Sequence, residues 1–589
     1  MYKAPLQEFS FILNQLLGAD ALAGCPVYVD YSAELAEAVL AESAKLAENV
    51  LAPLNPTGDR EGAELSDGRV RTASGFHEAY QQFQEGGWPQ LRARVEDGGQ
   101  GAPLALATAA QETWAAANLA FKLCPMLTYG ATHALTHCAS EQLRQRFLPK
   151  MVTGEWAGTM VLTEPQAGSD LGLIRTRAVP DGDHHRVFGQ KIFITWGEQD
   201  FTENIIHLVL ARIEGAPQGV RGISLFIVPK VLVNDDGSLG ERNDVRCTGL
   251  EHKLGIHASP TCAMSFGERE GAVGYLVGEA NRGLEYMFIM MNAARLGVAL
   301  QGYAVADRAF QLAVEYARNR VQGSVGRGSG AVAIIEHPDI KRMLLSIKAG
   351  TEAMRQLTMY AAWQLDLADE HQDGATRAAA QARGDLLIPI VKGWCTEFGV
   401  ELASLGVQVH GGMGFIEEAG AAQLLRDVRI TAIYEGTTGI QANDLLGRKL
   451  ARDKGAAMNA LLDEARVELS APLEDAAAET ARGAALDGIE SLRQATGALL
   501  HQSTADAERA LAVAVPYLML AGYALGGWLM ARAARLAVAA PQGVSREFCA
   551  AKLVSARFYA TQLLPRAAGL LRTVQQGGDG VSGVSSALI

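Results

Sequence analysis

Lys191-Ile192-Phe193-Ile194-Thr195 is a short run dominated by β-branched and aromatic residues, and residues 204–210 and 222–228 share its character. Each run is too short for a helix, and turn chemistry separates them. Asp181-Gly182-Asp183 and Asp235-Asp236-Gly237 supply residues that accept the backbone angles of tight turns. The pattern predicts a β-domain over residues 159–280. Upstream, residues 34–158 read as helices parted by Gly/Pro breaks, the clearest being Asp97-Gly98-Gly99-Gln100-Gly101-Ala102-Pro103, with residues 1–33 as an extension. Downstream of Gly283 a helical period begins, and Leu284, Phe288, Met291, Val298 and Val305 share one stripe. Residues 281–450 therefore form a helical bundle, interrupted by the connection from Gly323 to Gly330 and by the turn Gly411-Gly412-Met413-Gly414. Residues 451–589 add an Ala-rich helical segment that ends in a mobile Gly/Ser tail, residues 577–586. The fold class is α+β, mainly α.

Composition narrows the function. A chain of 589 residues with 49% hydrophobic and 20% charged residues reads as an ordered globule of several packed segments. Its net charge of -13 offers no positive field to hold a phosphate backbone, which argues against nucleic acid as a partner. The seven cysteines are scattered without a Cys-x-x-Cys pair, so neither a zinc cage nor a disulfide framework is predicted and no metal is expected. Met1-Tyr2-Lys3-Ala4-Pro5 lacks the basic-then-apolar pattern of a signal peptide, and the expectation is a cytoplasmic protein. Residues 511–531 carry no charge and are nominally long enough to span a bilayer. Pro516, the high Ala and Gly content, and Arg532 and Arg535 just beyond favour instead a helix buried in a bundle, without membrane contact.

Three stretches put polar groups and glycines where a core would want neither. Thr163-Glu164-Pro165-Gln166-Ala167-Gly168-Ser169-Asp170 offers hydroxyls and, around Gly168, backbone donors suited to ring oxygens and a phosphate; taken alone it reads more readily as an ordinary turn stabilised by Ser169 and Asp170. In Phe193-Ile194-Thr195-Trp196-Gly197 an aromatic residue can cover a flat ring while Thr195 bonds its edge, although aromatic strands are commonly plain core. Ala432-Ile433-Tyr434-Glu435-Gly436-Thr437-Thr438 sets a carboxylate among apolar residues, where desolvation would raise its basicity; a helix-capping role is the alternative. Arg295 falls on the apolar stripe, and its permanent charge demands either a salt bridge to a neighbouring helix or an anion in a site between helices.

Together, in this order and spacing, the stretches resemble the acyl-CoA dehydrogenases. The resemblance rests on Thr-Glu-Pro-x-Ala-Gly-Ser-Asp at 163–170, Lys-Ile-Phe-Ile-Thr at 191–195, Gln408 with Gly411-Gly412-x-Gly414, and Tyr434-Glu435-Gly436-Thr437, and spans residues 34–450. Tyr2-Lys3-Ala4-Pro5-Leu6 and the additional C-terminal segment resemble the long bacterial subgroup, which includes long-chain and 3-methylmercaptopropionyl-CoA dehydrogenases.

The resemblance implies FAD held between the β-domain and the C-terminal helices, with a second subunit of a homodimer or homotetramer completing the site. It assigns Thr163 to the pyrimidine edge of the flavin, Gly168 and Ser169 to the pyrophosphate, Phe193 to the ring face and Thr195 to the N5 region. Arg320, Gln322, Gln408 and Gly412 would reach the partner's FAD, Thr437 would make a further cofactor contact, and Arg295 and Ser169 would border the acyl-CoA. Phe193 stands where many members have Trp, and Gly439 where several have a polar contact residue. Glu435 would remove the α-proton of an acyl-CoA thioester as the β-hydride passes to flavin N5, giving a trans-2-enoyl-CoA. The Glu435 N–H and a ribityl hydroxyl would face the thioester carbonyl. Electron-transfer flavoprotein is the implied acceptor; an acyl-CoA oxidase using oxygen and a catalytically silent acyl-CoA-binding scaffold are the alternatives. Residues 122–129 would set the depth of the acyl pocket, and the segment after 450 could shape a dimer, touch a membrane or cover the helical core.

Overall fold

A computed structural model describes residues 2–326 and 330–589, and the described residues divide into two compact units. One draws on residues 45–102 and 117–297, the other on residues 2–44, 103–116 and 298–589. The units interleave along the chain, and the helix Gly283–Asn319 serves the first of these through Gly297 and the second thereafter. Arg327, Gly328 and Ser329 of the glycine-rich connection lie outside the described residues.

The first unit contains all the strands: β1 (Glu64–Ser66), β2 (Arg69–Arg71), β3 (Trp156–Val161), β4 (Arg177–Asp181), β5 (His184–Thr195), β6 (Asn204–Ile213), β7 (Ile223–Pro229), β8 (Val231–Val233), β9 (Leu239–Arg242), β10 (Val245–Leu250), β11 (Thr261–Phe266) and β12 (Ala272–Leu276). The main sheet runs β10-β11-β5-β12-β7-β6-β3, with β4 pairing to β5 and β6. The first two apolar runs lie within β5 and β6, the third forms β7 from its second residue on, and both expected turns join hairpins: Gly182 (φ 64°) links β4 to β5, and Gly237 (φ 79°) links β8 to β9. The small hairpin β1–β2 is an addition to the expected helical region, closed by Asp67 and Gly68, both left-handed. Asp-Gly is itself a hairpin turn signal. Val161, Val187, Val209, Phe226, Met264 and Phe266 are among the buried residues of the sheet's core.

The second unit is helical. Long helices Pro338–Glu370, Gly374–Val409, Ala476–Ala505 and Ala514–Ala539 pack on one another. Where Gly283–Asn319 crosses Gly374–Val409, glycine meets glycine: a Cβ on Gly399 would stand 2.5 Å from the Gly302 oxygen, so only bare backbone permits the approach. The uncharged stretch forms most of Ala514–Ala539, a helix long and apolar enough to cross a membrane but 83% buried over its most apolar window. Its small residues have a packing purpose. Gly522 and Gly526, one turn apart, make a flat bed for the Trp394 indole, and a Cβ at Gly522 would fall 2.1 Å from Trp394 Cγ. Residues beyond 450 thus cover the helical core. Glu468 secures this cover, accepting from Trp528 Nε1 at 2.8 Å and from Arg532 and Arg535.

Two expectations shift. In the first half of Gly283–Asn319 the deepest line is Met287, Met290 and Ala294, offset from the expected stripe, and Leu284, Phe288 and Met291 are only half-buried. The C-terminal tail turns back on the helices rather than running free: Asp579 pairs with Arg509, and the Gly583 N–H donates to Glu508.

Candidate functional site

In the strand-bearing unit, the segment after β3 is built around a buried ion pair. Burial alone would raise the Glu164 carboxyl, but the Lys191 ammonium at 2.9 Å, the Thr176 hydroxyl at 2.6 Å and the Arg175 N–H at 2.7 Å hold it at about 2. Burial pulls Lys191 down to about 8, against the attraction of Glu164. The pair is therefore ionised at neutral pH. Lys191 also donates to Leu162 O, and the Ile192 N–H to Thr163 O, so the staple fixes the β3 exit against β5. Glu164 and Ala167 exchange two backbone bonds, which leaves Gly168, Ser169 and Asp170 exposed at the tip. A Cβ at Gly168 would meet nothing within 4 Å.

The end of β5 is strained. Opposite a register shift in β11, Phe193 takes a left-handed φ of 60° and is thrown outward, 58% exposed. Trp196 follows at φ 54°, buried, its N–H on Pro260 O at 2.8 Å and its indole N–H on Ala120 O at 3.2 Å. Ile256, a β-branched residue at φ 49°, lies in the loop leading to β11. Left-handed backbone costs a residue with a Cβ about 1–3 kcal/mol and persists where the surroundings impose it, commonly at functional sites. Thr163, Gly168, Ser169, Phe193 and Thr195 are thus gathered on the adjoining ends of β3 and β5. An exposed aromatic face, half-buried hydroxyls and an open backbone tip are suited to a flat heteroaromatic ring bearing a phosphate.

Arg295 belongs to the same unit. It is 3% exposed, with Nη1 3.3 Å from Asn292 Oδ1 and its guanidinium 5.9 Å from the centre of the Phe288 ring.

The helical unit carries Glu435. Ala432 ends a short 3₁₀ turn, and Glu435 (φ 56°) and Gly436 (φ 90°) are successive left-handed residues. Glu435 itself is half-buried. Gln441 Nε2 donates to both the Glu435 and Gly436 oxygens at 3.1 Å, and Lys392 Nζ donates to Gly436 O at 2.7 Å. The Tyr434 hydroxyl donates to Gln301; burial, and next the charge of Glu435, push that hydroxyl far above its ordinary range, so it stays protonated. Thr437 caps the helix Thr438–Asp444 by accepting from the Ile440 N–H, and Thr438 donates to Glu397 at 2.5 Å.

Arg320, Gln322, Gln408 and Gly412 are exposed. A tilted ring contact between Tyr316 and His410, 4.6 Å between centres, brings the end of Gly283–Asn319 beside the end of Gly374–Val409, from which these residues project. Val321, Val325, Met413, Ile416 and, at 87%, Phe415 are exposed around them.

Sequence reasoning missed Glu164, Lys191, Lys392 and Gln441. A signal existed for Lys392: it ends the apolar run Leu386-Leu387-Ile388-Pro389-Ile390-Val391, and a lysine in such a helix is buried only for a partner.

Comparison with known proteins finds chains of similar sequence and similar fold. Residues 34–155, 159–268 and 281–450 match the N-terminal, middle and C-terminal domains described for acyl-CoA dehydrogenases, and residues 457–584 match a domain described as acetyl-CoA dehydrogenase C-terminal like. A 3-methylmercaptopropionyl-CoA dehydrogenase of Ruegeria pomeroyi is 45% identical over 98% of each chain. A broad-specificity linear acyl-CoA dehydrogenase of Mycobacterium tuberculosis is 35% identical over 96% of each. Among solved structures, a Bacillus anthracis acyl-CoA dehydrogenase complexed with FAD superposes with a TM-score of 0.72 at 20% identity, covering 98% of this chain and 92% of that one. That likeness concerns the fold alone.

Proposed function

The chain belongs to the acyl-CoA dehydrogenase family, and from that premise we propose that Glu435 is the base that takes the α-proton of a bound acyl-CoA, with 3-methylmercaptopropionyl-CoA as the substrate. The protein is an oxidoreductase that acts on acyl-CoA and uses FAD. Bound FAD supplies the acceptor for two electrons and the β-hydrogen as hydride, chemistry that no side chain provides. The residues present fit it. The outward Phe193 ring offers a stacking face, Thr163 and Thr195 offer hydroxyls to its edges, and the open tip at Gly168 and Ser169 offers donors to phosphate. From a second subunit, Arg320, Gln322, Gln408 and Gly412 would add contacts, and the exposed Phe415, Met413 and Ile416 beside them support a homodimer. Thr437, already committed to its helix cap, would contribute from the turn itself.

The observation that carries the assignment is the conformation of Glu435. A glutamate held left-handed, ahead of a left-handed glycine, has its Cα–Cβ bond directed by a strained backbone of the kind that persists at functional sites. Removing an α-proton from a thioester requires that the carbonyl oxygen be met by hydrogen bonds as negative charge develops there, and the Glu435 N–H is the donor assigned from this chain. Arg295 and Ser169 would border the substrate, with Arg295 answering a phosphate of CoA. Loss of the α-proton and the β-hydride converts CH3-S-CH2-CH2-CO-SCoA into CH3-S-CH=CH-CO-SCoA. Electron-transfer flavoprotein would then take the electrons, in the cytoplasm.

A second reading, a straight-chain fatty acyl-CoA substrate, is favoured by the Mycobacterium tuberculosis relative and by a butyryl-CoA dehydrogenase of Syntrophomonas wolfei, 34% identical over 98% of this chain. Anaerobic mixing with 3-methylmercaptopropionyl-CoA, butyryl-CoA and longer thioesters, while the flavin absorbance is followed, decides between them. Glu435→Gln should keep FAD and lose turnover by about 10²–10⁴-fold; turnover at the wild-type rate would remove Glu435 from its role. Peroxide formed in air at the rate of substrate loss would make the protein an oxidase.

A further inference from the structure

We propose that Lys392 and Gln441 form a backbone clamp that keeps the Glu435–Gly436 turn left-handed and so aims the base; both are positioning residues, and the proposal rests on Glu435 being that base. Glu435 and Gly436 are successive left-handed residues, φ 56° and 90°, and their carbonyl oxygens lie close enough together for one side-chain amide to reach both. On the carbonyl side stand two fully buried donors. Lys392 Nζ lies 2.7 Å from Gly436 O, and Gln441 Nε2 lies 3.1 Å from both Gly436 O and Glu435 O.

Ordinary packing does not account for these residues. The helix after the turn is already capped by Thr437, so neither Lys392 nor Gln441 is needed to start it. The buried Gln441 Oε1 has no hydrogen-bond donor among the described residues; the amide is oriented by the two carbonyls it serves, since the flipped orientation would set oxygen against oxygen. Lys392 places an ammonium, costly to bury, within hydrogen-bond reach of the Gly436 oxygen. It projects from the long helix Gly374–Val409, which the close Gly302–Gly399 crossing holds in place. The turn is thus referenced to a rigid element and not to its own loop. Its left-handed glutamate would otherwise relax toward the common backbone region, moving the carboxylate and its N–H together.

The test compares FAD-loaded wild type, Lys392→Met, Gln441→Leu, the double variant and Glu435→Gln, with 3-methylmercaptopropionyl-CoA, or with butyryl-CoA if that is the thioester oxidised. Each clamp variant should lose ten- to a hundredfold in kcat with KM within about threefold of wild type. The double variant should be no worse than about threefold below the poorer single, because both donors serve one turn. A non-oxidisable 3-thia-acyl-CoA reports α-proton removal alone, through the long-wavelength band of its anion beside the flavin; the variants should bind it yet develop less of that band. Turnover within twofold of wild type in both single variants overturns the clamp, as does a kcat loss matched by equal losses of FAD and analogue binding. Should Lys392→Met fail to fold, Gln441→Leu carries the same readouts by itself. Turnover retained by Glu435→Gln sinks the base assignment instead, whereas an inactive Glu435→Gln beside normal clamp variants sinks only the clamp.

Discussion

Lys122→Met should make the protein more stable, and by a larger margin the lower the pH. Lys122 sits inside the helix Leu119–Cys138, 1% exposed, with its Nζ on the Gly297 oxygen at 3.1 Å. Burial, unrelieved by any carboxylate, lowers it from 10.5 to about 7. Below pH 7 the amine is charged in both the folded and the unfolded chain, so the whole cost of burying charge weighs on the fold. Between 7 and 10.5 only the unfolded chain holds the proton, and the wild type gains stability as pH rises; above 10.5 nothing further changes. The drop from 10.5 to about 7, at about 1.4 kcal/mol per pH unit, is about 5 kcal/mol. Loss of the hydrogen bond to Gly297 offsets about 1 kcal/mol. The variant should therefore lead by about 4 kcal/mol at pH 6.5, by about 2 kcal/mol near pH 8.5, and meet the wild type near pH 10. Urea midpoints of the FAD-loaded proteins, read by tryptophan fluorescence across that range, measure the difference; the Trp196 indole, bonded to Ala120 O, lies close to the change. Parallel curves, or a variant weaker at pH 6.5, would refute a charge-burial penalty at Lys122.

Gly436→Ala should cost at least tenfold in kcat with FAD retained, because the new Cβ would lie 2.8 Å from Gln441 Nε2 on a backbone at φ 90°; steady-state kinetics decide. Ser169→Ala should release FAD faster, through a lost phosphate hydrogen bond, and flavin left after dialysis measures it. Glu164→Gln, which strands the Lys191 ammonium, should destabilise by about 3–5 kcal/mol and loosen FAD as well, seen in urea midpoints and flavin fluorescence. In the wild type the Glu164 contribution is fully present above about pH 4.5 and is lost as pH falls through about 2, which acid titration of stability should register against the variant.

The strands and their turns were legible because alternation, β-branching and Asp/Gly punctuation are local, and the three motif stretches because their residue types stand out from a core. What escaped is non-local. Lys392 meets Gly436 across 44 residues, and no pattern near either announces the pairing. The left-handed Phe193, Trp196 and Glu435 carry side chains that give no hint of such a backbone; the bulge and the clamp impose it from outside. The stripe after Gly283 was misplaced in its first half, while Val298 and Val305 are buried as expected, because one helix serves two compact units and has no single buried face. The interleaving of those units is likewise a property of contacts between distant segments, whereas the Asp67-Gly68 hairpin was written in plain turn chemistry and was simply passed over.

The glycine bed under Trp394 bears on any attempt to shorten this protein. Trp394 lies two residues from Lys392 on the same helix, and Gly522 and Gly526, far beyond residue 450, are the surface on which its ring rests. A chain ended at Leu450 would strip that indole to water and leave the helix behind the reactive turn without its backing. The C-terminal quarter therefore backs the helix that carries Lys392, and a smaller catalyst would have to be rebuilt around a different side chain at 394 rather than trimmed.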